Sequence, residues 1–179
     1  MTADTPGAAY SPYQAVLGDA FAALHPGVRR AHLAPLTARG TLDVRHGSHW
    51  IVPLLVALMR LPAAGQARPV RLTLAAVGDC LEWTRQIGSS VLRTRQRAVG
   101  SHIVEQLGIG RVVFDLDAGD GALVYRQASM RIGPIVIPSF VAPRVRADVS
   151  SAPGGWRVEV TVRWRSHLVF HYAGRMELT

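Results

Sequence analysis

The chain has 179 residues, 49% of them hydrophobic, and a formal net charge of +8 at pH 7. The length fits one domain, and this apolar share excludes a largely disordered chain. All 20 basic residues are arginine. The basic excess favours acidic partners such as nucleic acid, anionic lipid headgroups or small acids, and arginine suits bidentate contacts with phosphate or carboxylate.

The sequence predicts a cytoplasmic location. Cys80 is the only cysteine, so no intrachain disulfide forms and nothing indicates an oxidising compartment. Met1–Gly7 lacks the charged and apolar regions of a secretion signal. The most apolar run, Trp50–Leu61, is about a dozen residues long, below the roughly 20 that span a bilayer. We therefore expect no transmembrane segment.

Helices are predicted near the N-terminus, after a flexible tail over residues 1–10. Apolar residues recur at helical spacing from Tyr13 to Leu24, behind a Ser11-Pro12 start signal. A short helix from Pro26 to about His32 follows. Another helix is predicted from His49 to Arg60, and it is apolar nearly all round. We expect it to be buried, the alternative being contact with a bilayer or a partner.

Strands dominate the rest of the chain, because apolar and polar residues alternate from Arg68 onward. Trp156–Trp164 and the strand after it form the clearest hairpin. Ser101–Leu107 is predicted as a short helix or an irregular crossing. Ile132–Val141, with its glycine and two prolines, cannot be a central strand.

Residues 11–179 are thus predicted to form a single β-rich domain of the α+β class. We expect a strongly curved antiparallel sheet or a partly open β-barrel of about eight to nine strands, with two or three helices near the N-terminus. The apolar helix at His49–Arg60 would close it in part. A barrel of about eight strands is just wide enough to be filled by side chains or to hold one small ligand.

Arginines spaced two apart mark the first candidate site. Arg93, Arg95 and Arg97 share one face of a predicted strand, and Arg85 lies on the strand before it. These side chains would form either an anion-binding platform or a solvated outer face. The opposite face, with Thr94 and Gln96, would then point inward, which is unusual for polar residues.

Glu105 is the second candidate, because it lies in the apolar stretch Ile103–Leu107. A carboxylate in such a place needs a partner, and the arginines are the natural supply. A buried pair with an arginine and simple exposure are both open. No second carboxylate is placed to share acid–base work with it, so we predict no catalytic residues.

Neither a metal nor a cofactor is predicted. His167 and His171 lie on a predicted strand, where four residues span roughly 13 Å, too far for one ion. The pair His46 and His49 has only Asp43 nearby in the sequence as a further possible metal ligand. The short glycine pairs near residues 108 and 119 lack the spacing of nucleotide-binding loops.

Several segments carry a family resemblance in their order and spacing. They are Glu82-Trp83-Thr84-Arg85, Arg93-Thr94-Arg95-Gln96-Arg97, Val104-Glu105-Gln106-Leu107-Gly108, Gly133-Pro134-Ile135-Val136-Ile137-Pro138 and Phe170-His171-Tyr172-Ala173-Gly174. Together they resemble the bacterial domain of unknown function DUF4166, over nearly the whole chain. The resemblance implies no assigned activity. Similar domains occur alone or behind short-chain or saccharopine-dehydrogenase-like oxidoreductase domains, which implies an accessory or ligand-binding role and an oxidoreductase-domain partner.

Our leading hypothesis is a non-enzymatic module that binds a small amphipathic or lipid-like acidic ligand. Its predicted binding residues are Trp83, Arg85, Arg93, Arg95 and Glu105. One alternative is an enzyme, or an accessory subunit of an oxidoreductase system, with a Glu/Arg site. Another is a basic nucleic-acid-binding module, which the 7% aromatic content disfavours because bases need stacking partners. The sequence leaves the oligomeric state open.

Overall fold

The computed structural model describes residues 11–59 and 61–179, so the predicted tail over residues 1–10 lies outside it. Eleven β-strands make up most of this part of the chain. They are β1 Leu36–His46, β2 Gly65–Val77, β3 Cys80–Ile87, β4 Ser90–Val99, β5 His102–Leu107, β6 Gly110–Gly119, β7 Ala122–Ile132, β8 Ile135–Ile137, β9 Arg144–Ala152, β10 Gly155–Trp164 and β11 His167–Leu178.

The strands form a closed antiparallel barrel. Hydrogen bonding runs in the order β6-β5-β4-β3-β2-β1-β11-β10-β9-β7, and β6 also pairs with β7, which closes the circle with ten strands. The eleventh strand, β8, lies outside the barrel and pairs only with the last residues of β7. The predicted antiparallel barrel is confirmed. The predicted strand count was too low, and the prediction of a partly open barrel was wrong.

The strand count was low mainly because β5 has a poor alternation signal. Ile103 and Val104 are adjacent yet both at least nine-tenths buried, at 0% and 8% exposed, so the period of two is obscured. The segment nevertheless pairs with β4 on one side and β6 on the other. Tight turns at Gly100 and Gly108, with φ of 58° and 56°, join it to both neighbours. His102–Leu107 is therefore a strand, and the prediction of a short helix or an irregular crossing over Ser101–Leu107 was wrong.

Three short helices cover one end of the barrel: α1 Pro12–Leu17, α2 Asp19–Ala23 and α3 Pro26–Arg30. The single helix predicted over Tyr13–Leu24 is split at Gly18, whose φ is 54°. The His25 N–H donates a hydrogen bond to the Gly121 carbonyl over 2.9 Å, which ties the helices to the β6–β7 turn. Tyr13 is fully buried in the core. We call this end of the barrel the α1 end.

The helix α4, Val52–Leu58, lies at the opposite end, between β1 and β2. It begins later than the predicted His49, because Pro53 occupies its first turn. Only one side of the segment packs inward: Val52 is 2% exposed, whereas Leu54 is 62% and Trp50 is 77% exposed. The expectation of a buried helix was therefore wrong. We call this end of the barrel the α4 end.

None of the helices within residues 11–59 and 61–179 has the length and apolar character needed to cross a lipid bilayer.

Replacing Gly40 by alanine should destabilise the barrel. A Cβ atom on Gly40 would lie 1.9 Å from the Arg175 carbonyl oxygen of the neighbouring strand, so β1 and β11 would have to separate locally. We expect the free energy of unfolding to fall by about 3 kcal/mol and Tm by roughly 6–12 °C, as measured by urea and thermal unfolding. Gly119→Ala is the control, since nothing lies within 4 Å of its added Cβ. Equal effects of the two substitutions would contradict the steric argument.

Candidate functional site

The barrel encloses a cavity of about 170 Å³. Inward-facing side chains from most strands line it, together with Ala31 and His32 beside α3 and Met59 and Leu61 beside α4. Strands β4 and β10 are five steps apart in either direction around the ten-stranded circle, so they face each other across the interior. The cavity therefore has two unlike walls, one from β3–β5 and one centred on β10.

The wall from β3–β5 is polar. Inward positions on β3 alternate through Leu81, Trp83, Arg85 and Ile87, so Arg85 takes an inward place in the middle of an apolar row. Its guanidinium carbon lies 4.8 Å from the centre of the Trp83 ring. Its Nη1 donates a hydrogen bond to Thr94 Oγ1 on β4 over 3.0 Å. Stacking and hydrogen bonding together hold the cation at this wall.

Glu105 shares this wall. It stands opposite Gln96 of β4 and Val112 of β6 in the strand register, and all three line the cavity. Its Oε1 lies 3.9 Å from Arg85 Nη1, and the two side chains are 19% and 17% exposed. This distance allows electrostatic attraction but exceeds that of a hydrogen bond. Glu105 therefore partly balances the charge of Arg85 without occupying its donors.

A buried hydrogen-bond network continues the polar wall toward the α1 end. The Tyr13 hydroxyl donates to Gln96 Oε1. His32 Nδ1 lies 2.7 Å from the Val28 carbonyl oxygen, so this nitrogen carries the hydrogen. His32 Nε2 then accepts a hydrogen bond from the Tyr125 hydroxyl over 2.6 Å. The imidazole thus donates through Nδ1 and accepts through Nε2, and the Tyr13 and Tyr125 hydroxyls each donate.

Burial sets the protonation states of this network. It lowers the pKa of His32 to about 4 and raises the pKa of the Tyr13 and Tyr125 hydroxyls above the usual value. The imidazole is therefore neutral and both phenols are protonated at neutral pH. The network therefore orients uncharged polar groups at the α1 end of the cavity.

Trp83 has a polar group with no partner. Its side chain is buried, at 7% exposed, and it lines the cavity. Among residues 11–59 and 61–179, no acceptor binds its indole N–H. Buried donors are normally satisfied, so a group that enters the cavity with an acceptor atom would supply what this N–H needs.

The wall centred on β10 is apolar. Trp156, Val158, Val160 and Val162 of β10 line the cavity, flanked by Val145, Ala147 and Val149 of β9 and by Phe170, Tyr172 and Met176 of β11. These positions alternate with outward-facing Arg157 and Arg163, which are exposed. The alternation predicted for the last hairpin thus produces one whole wall of the cavity.

The structure divides the five predicted site residues between two faces of the sheet. Trp83, Arg85 and Glu105 line the cavity. Arg93 and Arg95 are exposed on the outer face of β4, together with Arg97. Arg95 pairs there with Glu82 over 2.9 Å. The arginine row is thus an outer face, and the polar face of β4 that points inward carries Thr94 and Gln96.

Tyr13, His32 and Tyr125 belong to the cavity but were not predicted from the sequence. Tyr13 and Tyr125 fit the apolar positions of a helix and a strand, so their spacing indicates only core packing. His32 lies just beyond α3, in no periodic element. The inward polar pair Thr94 and Gln96 was the one sequence signal for this region, because polar side chains inside a barrel need partners there.

The histidine pairs do not form a metal centre in the part of the chain that the structure describes, where no group of three or more His, Cys, Asp or Glu side chains is close enough to hold an ion. His46 Nε2 lies 2.8 Å from the Pro62 carbonyl oxygen. The rings of His49 and His167 pack together, with their centres 4.1 Å apart. These contacts attach the α4 segment to the barrel.

These features define a class of protein: a closed ten-stranded antiparallel barrel with an internal cavity that is polar on one wall and apolar on the other. Residues 24–176 match the family model of DUF4166, a domain of unknown function, and the chain belongs to that family. No curated protein and no solved structure matches the chain significantly.

The buried His32 should make stability depend on pH. Its pKa is about 4 in the folded protein and about 6.5 when unfolded, so the unfolded state takes up the proton first. His32 therefore contributes stability above about pH 6.5 that is lost as the pH falls toward 4, by roughly 3 kcal/mol in total. Urea unfolding at several pH values measures this loss.

His32→Gln should flatten the pH dependence of stability in that window, while His167→Gln, at an exposed position, should leave it unchanged. If the His32 variant kept the slope of the native protein, the slope would have to come from other groups.

Proposed function

We propose that this protein is a non-enzymatic module that binds a small amphipathic ligand with an acidic head in the barrel cavity. The observation that carries the proposal is the pairing of a donor-rich wall, with Arg85 and Trp83, and an apolar wall built on β10. Such a cavity offers separate surfaces to the two parts of an amphipathic molecule.

The polar wall has more donors than acceptors. A guanidinium carries five N–H groups, and the one side-chain hydrogen bond that the described residues give Arg85 goes to Thr94. The Trp83 N–H is also without an acceptor in that part of the chain. A carboxylate or a phosphate presents two or more acceptor oxygens and matches Arg85 in charge. This excess of donors supports an acidic head over a neutral or basic one.

The size of the cavity limits the ligand. Its volume of about 170 Å³ is close to that of an apolar cavity of roughly 150 Å³ that holds benzene, and below the roughly 300–1,000 Å³ of pockets for drug-sized molecules. A short acyl chain or one aromatic ring fits inside. A longer chain would extend toward the α4 end, where the lining residues Leu92, Leu107 and Met59 are only half-buried.

Arg85→Met should weaken the binding of a medium-chain carboxylate such as decanoate about tenfold or more. A hydrogen bond to a charged group is worth roughly 1.5–3 kcal/mol, and 1.4 kcal/mol is a tenfold change in affinity. Trp83 and Trp156 line the cavity, so their fluorescence reports binding, and native mass spectrometry of the purified protein reports any amphiphile that co-purifies.

Three controls sharpen this experiment. Arg93→Met removes an exposed arginine from the outer face and should leave decanoate binding unchanged. Decanol should bind the native protein and Arg85→Met equally, because it has no charge. Val160→Phe, which fills the cavity from the apolar wall, should abolish the binding of both molecules. The proposal fails if no amphiphile co-purifies and decanoate does not bind, or if Arg85→Met binds decanoate as tightly as the native protein.

A second candidate is an enzyme, or an accessory subunit of an oxidoreductase system, with a Glu/Arg site. It is favoured by the convergence of Arg85 and Glu105 on one cavity at 3.9 Å. Arg95 has no part in this version, since it lies outside the barrel. The two candidates differ in the role of Glu105. In the binding module it is a negatively charged neighbour of the ligand's head group, and in the enzyme it is a reacting group.

Glu105→Gln distinguishes the two candidates. If the cavity binds an acid, the substitution removes a negative charge that repels the carboxylate of the ligand, and decanoate binding should tighten several-fold. If Glu105 takes part in a reaction, the same variant loses turnover of any substrate found for the native protein. Weaker decanoate binding by Glu105→Gln would contradict the arrangement of the head group beside Arg85.

A further inference from the structure

Apolar side chains are exposed mainly at one end of the barrel. In the part of the chain that the structure describes, every large apolar side chain that is more than half exposed belongs to the α4 end. The most exposed are Trp50 at 77%, Ile109 at 73% and Phe140 at 73%. The exposed apolar residues of the α1 end, Leu178 at 49%, Val77 at 47% and Val99 at 45%, are more covered.

Contacts link the loops that carry these side chains. The Gly133 N–H donates to the Ile109 carbonyl over 2.9 Å, which links the β5–β6 turn to the segment carrying β8. Trp164 Nε1 donates to the Val141 carbonyl over 2.9 Å, which links the loop containing Phe140 to the β10–β11 turn. The ring centres of His49 and Trp164 are 5.7 Å apart, which links the segment before α4 to the β10–β11 turn. We call Trp50, Leu54, Ile109, Ile135 and Phe140 the apolar rim.

The same end is basic and free of acids in sequence. Residues 45–68, 87–93, 107–111, 131–144 and 163–168 contain no aspartate or glutamate. Among the described residues of these segments, seven arginines are exposed: Arg45, Arg93, Arg111, Arg131, Arg144, Arg163 and Arg165. The nearest carboxylate on β1, that of Asp43, accepts a hydrogen bond from the Ala67 N–H.

Two pairs of these arginines lie directly opposite each other across neighbouring strands, Arg111 with Arg131 and Arg144 with Arg163. Like charges in such positions are destabilising. Opposed arginines also occur nearer the α1 end, but there carboxylates lie close by. Arg126 and Arg146 pair with Asp117 at 2.9 Å and Asp148 at 2.6 Å. Arg39, opposite Arg71, also lies opposite Glu177, and Arg157, opposite Arg175, lies 3.9 Å from Glu159. The two pairs at the α4 end form no ion pair with a carboxylate among the described residues, so an external anionic surface would relieve their repulsion.

We propose that the α4 end docks on the surface of an anionic lipid bilayer. The apolar rim inserts at the level of the headgroups, where tryptophan and other amphipathic side chains are favoured, and the arginines bind the anionic headgroups. Docking places the half-buried part of the cavity lining against the bilayer. The inference deepens the proposed function, on which it rests for the source of the ligand, while the docking itself is tested separately.

Vesicle binding tests the proposal. The full chain is mixed with vesicles of phosphatidylcholine alone or with 30 mol% phosphatidylglycerol, at low and high salt, and bound protein is separated by flotation. We expect binding to the anionic vesicles only, and loss of binding at high salt. Trp50→Ser combined with Phe140→Ser should weaken it at least tenfold, and Arg111→Glu with Arg144→Glu at least tenfold as well.

Matched variants at the α1 end serve as controls. Val77→Ser with Val99→Ser, and Arg97→Glu with Arg175→Glu, should leave vesicle binding unchanged. All variants are also tested for binding of decanoate in solution, which shows that they fold and separates the two proposals. Arg85→Met should lose decanoate binding and keep vesicle binding. The Trp50/Phe140 and Arg111/Arg144 variants should lose vesicle binding and keep decanoate binding.

Three results would overturn the docking proposal. One is equal binding to neutral and anionic vesicles, or to neither. Another is tighter binding to a duplex DNA oligonucleotide than to anionic vesicles, with the DNA binding unaffected by the Trp50→Ser and Phe140→Ser substitutions. That result would assign the basic end to nucleic acid. The third is a stable dimer in sedimentation that dissociates with the rim substitutions, which would make the rim an interface between two copies of this chain.

Discussion

The pairing of β6 with β7 closes the barrel and sets its width. It joins the two ends of a ten-stranded sheet, and the number of strands fixes the width of a barrel. Eight strands enclose a space that side chains can fill, so ten strands leave more room than the inward residues of this chain occupy. Tyr13 fills part of it from the α1 end, and the cavity of about 170 Å³ is what remains.

Closure also decides which walls face each other. Because β4 and β10 are half a circle apart, the inward polar residues of β3–β5 face the inward valines of β10 across the cavity. A shift of one residue in the pairing of β3 would turn Arg85 outward and bring its neighbours in. The amphipathic character of the cavity thus comes from register and strand number together, and it needs no special loop or inserted segment.

The two ends of the barrel have different chemistry. Near the α1 end, the outer face carries both arginines and carboxylates, and some of them pair, as with Arg126 and Asp117. At the α4 end, arginines and exposed apolar side chains occur without acids in the same segments. A cavity that receives an acidic amphiphile and an end that docks on anionic lipid would form one path, in which the ligand passes between bilayer and barrel at the end where the lining is least covered.

The antiparallel β-rich fold and the apolar face of the last hairpin could be predicted from the sequence, because alternation acts over a few residues. The sequence also indicated Trp83, Arg85 and Glu105 as candidate site residues, because a carboxylate in an apolar stretch needs a partner such as an arginine. It did not determine β5, where two adjacent buried residues hide the period, or the exposure of α4, whose neighbours come from distant strands. The positions of Arg93 and Arg95 outside the barrel and of Arg85 inside it could be seen only in the folded structure. Each arginine has the same local pattern, and only strand pairing and closure between residues far apart in the chain decide which face of a strand becomes the interior.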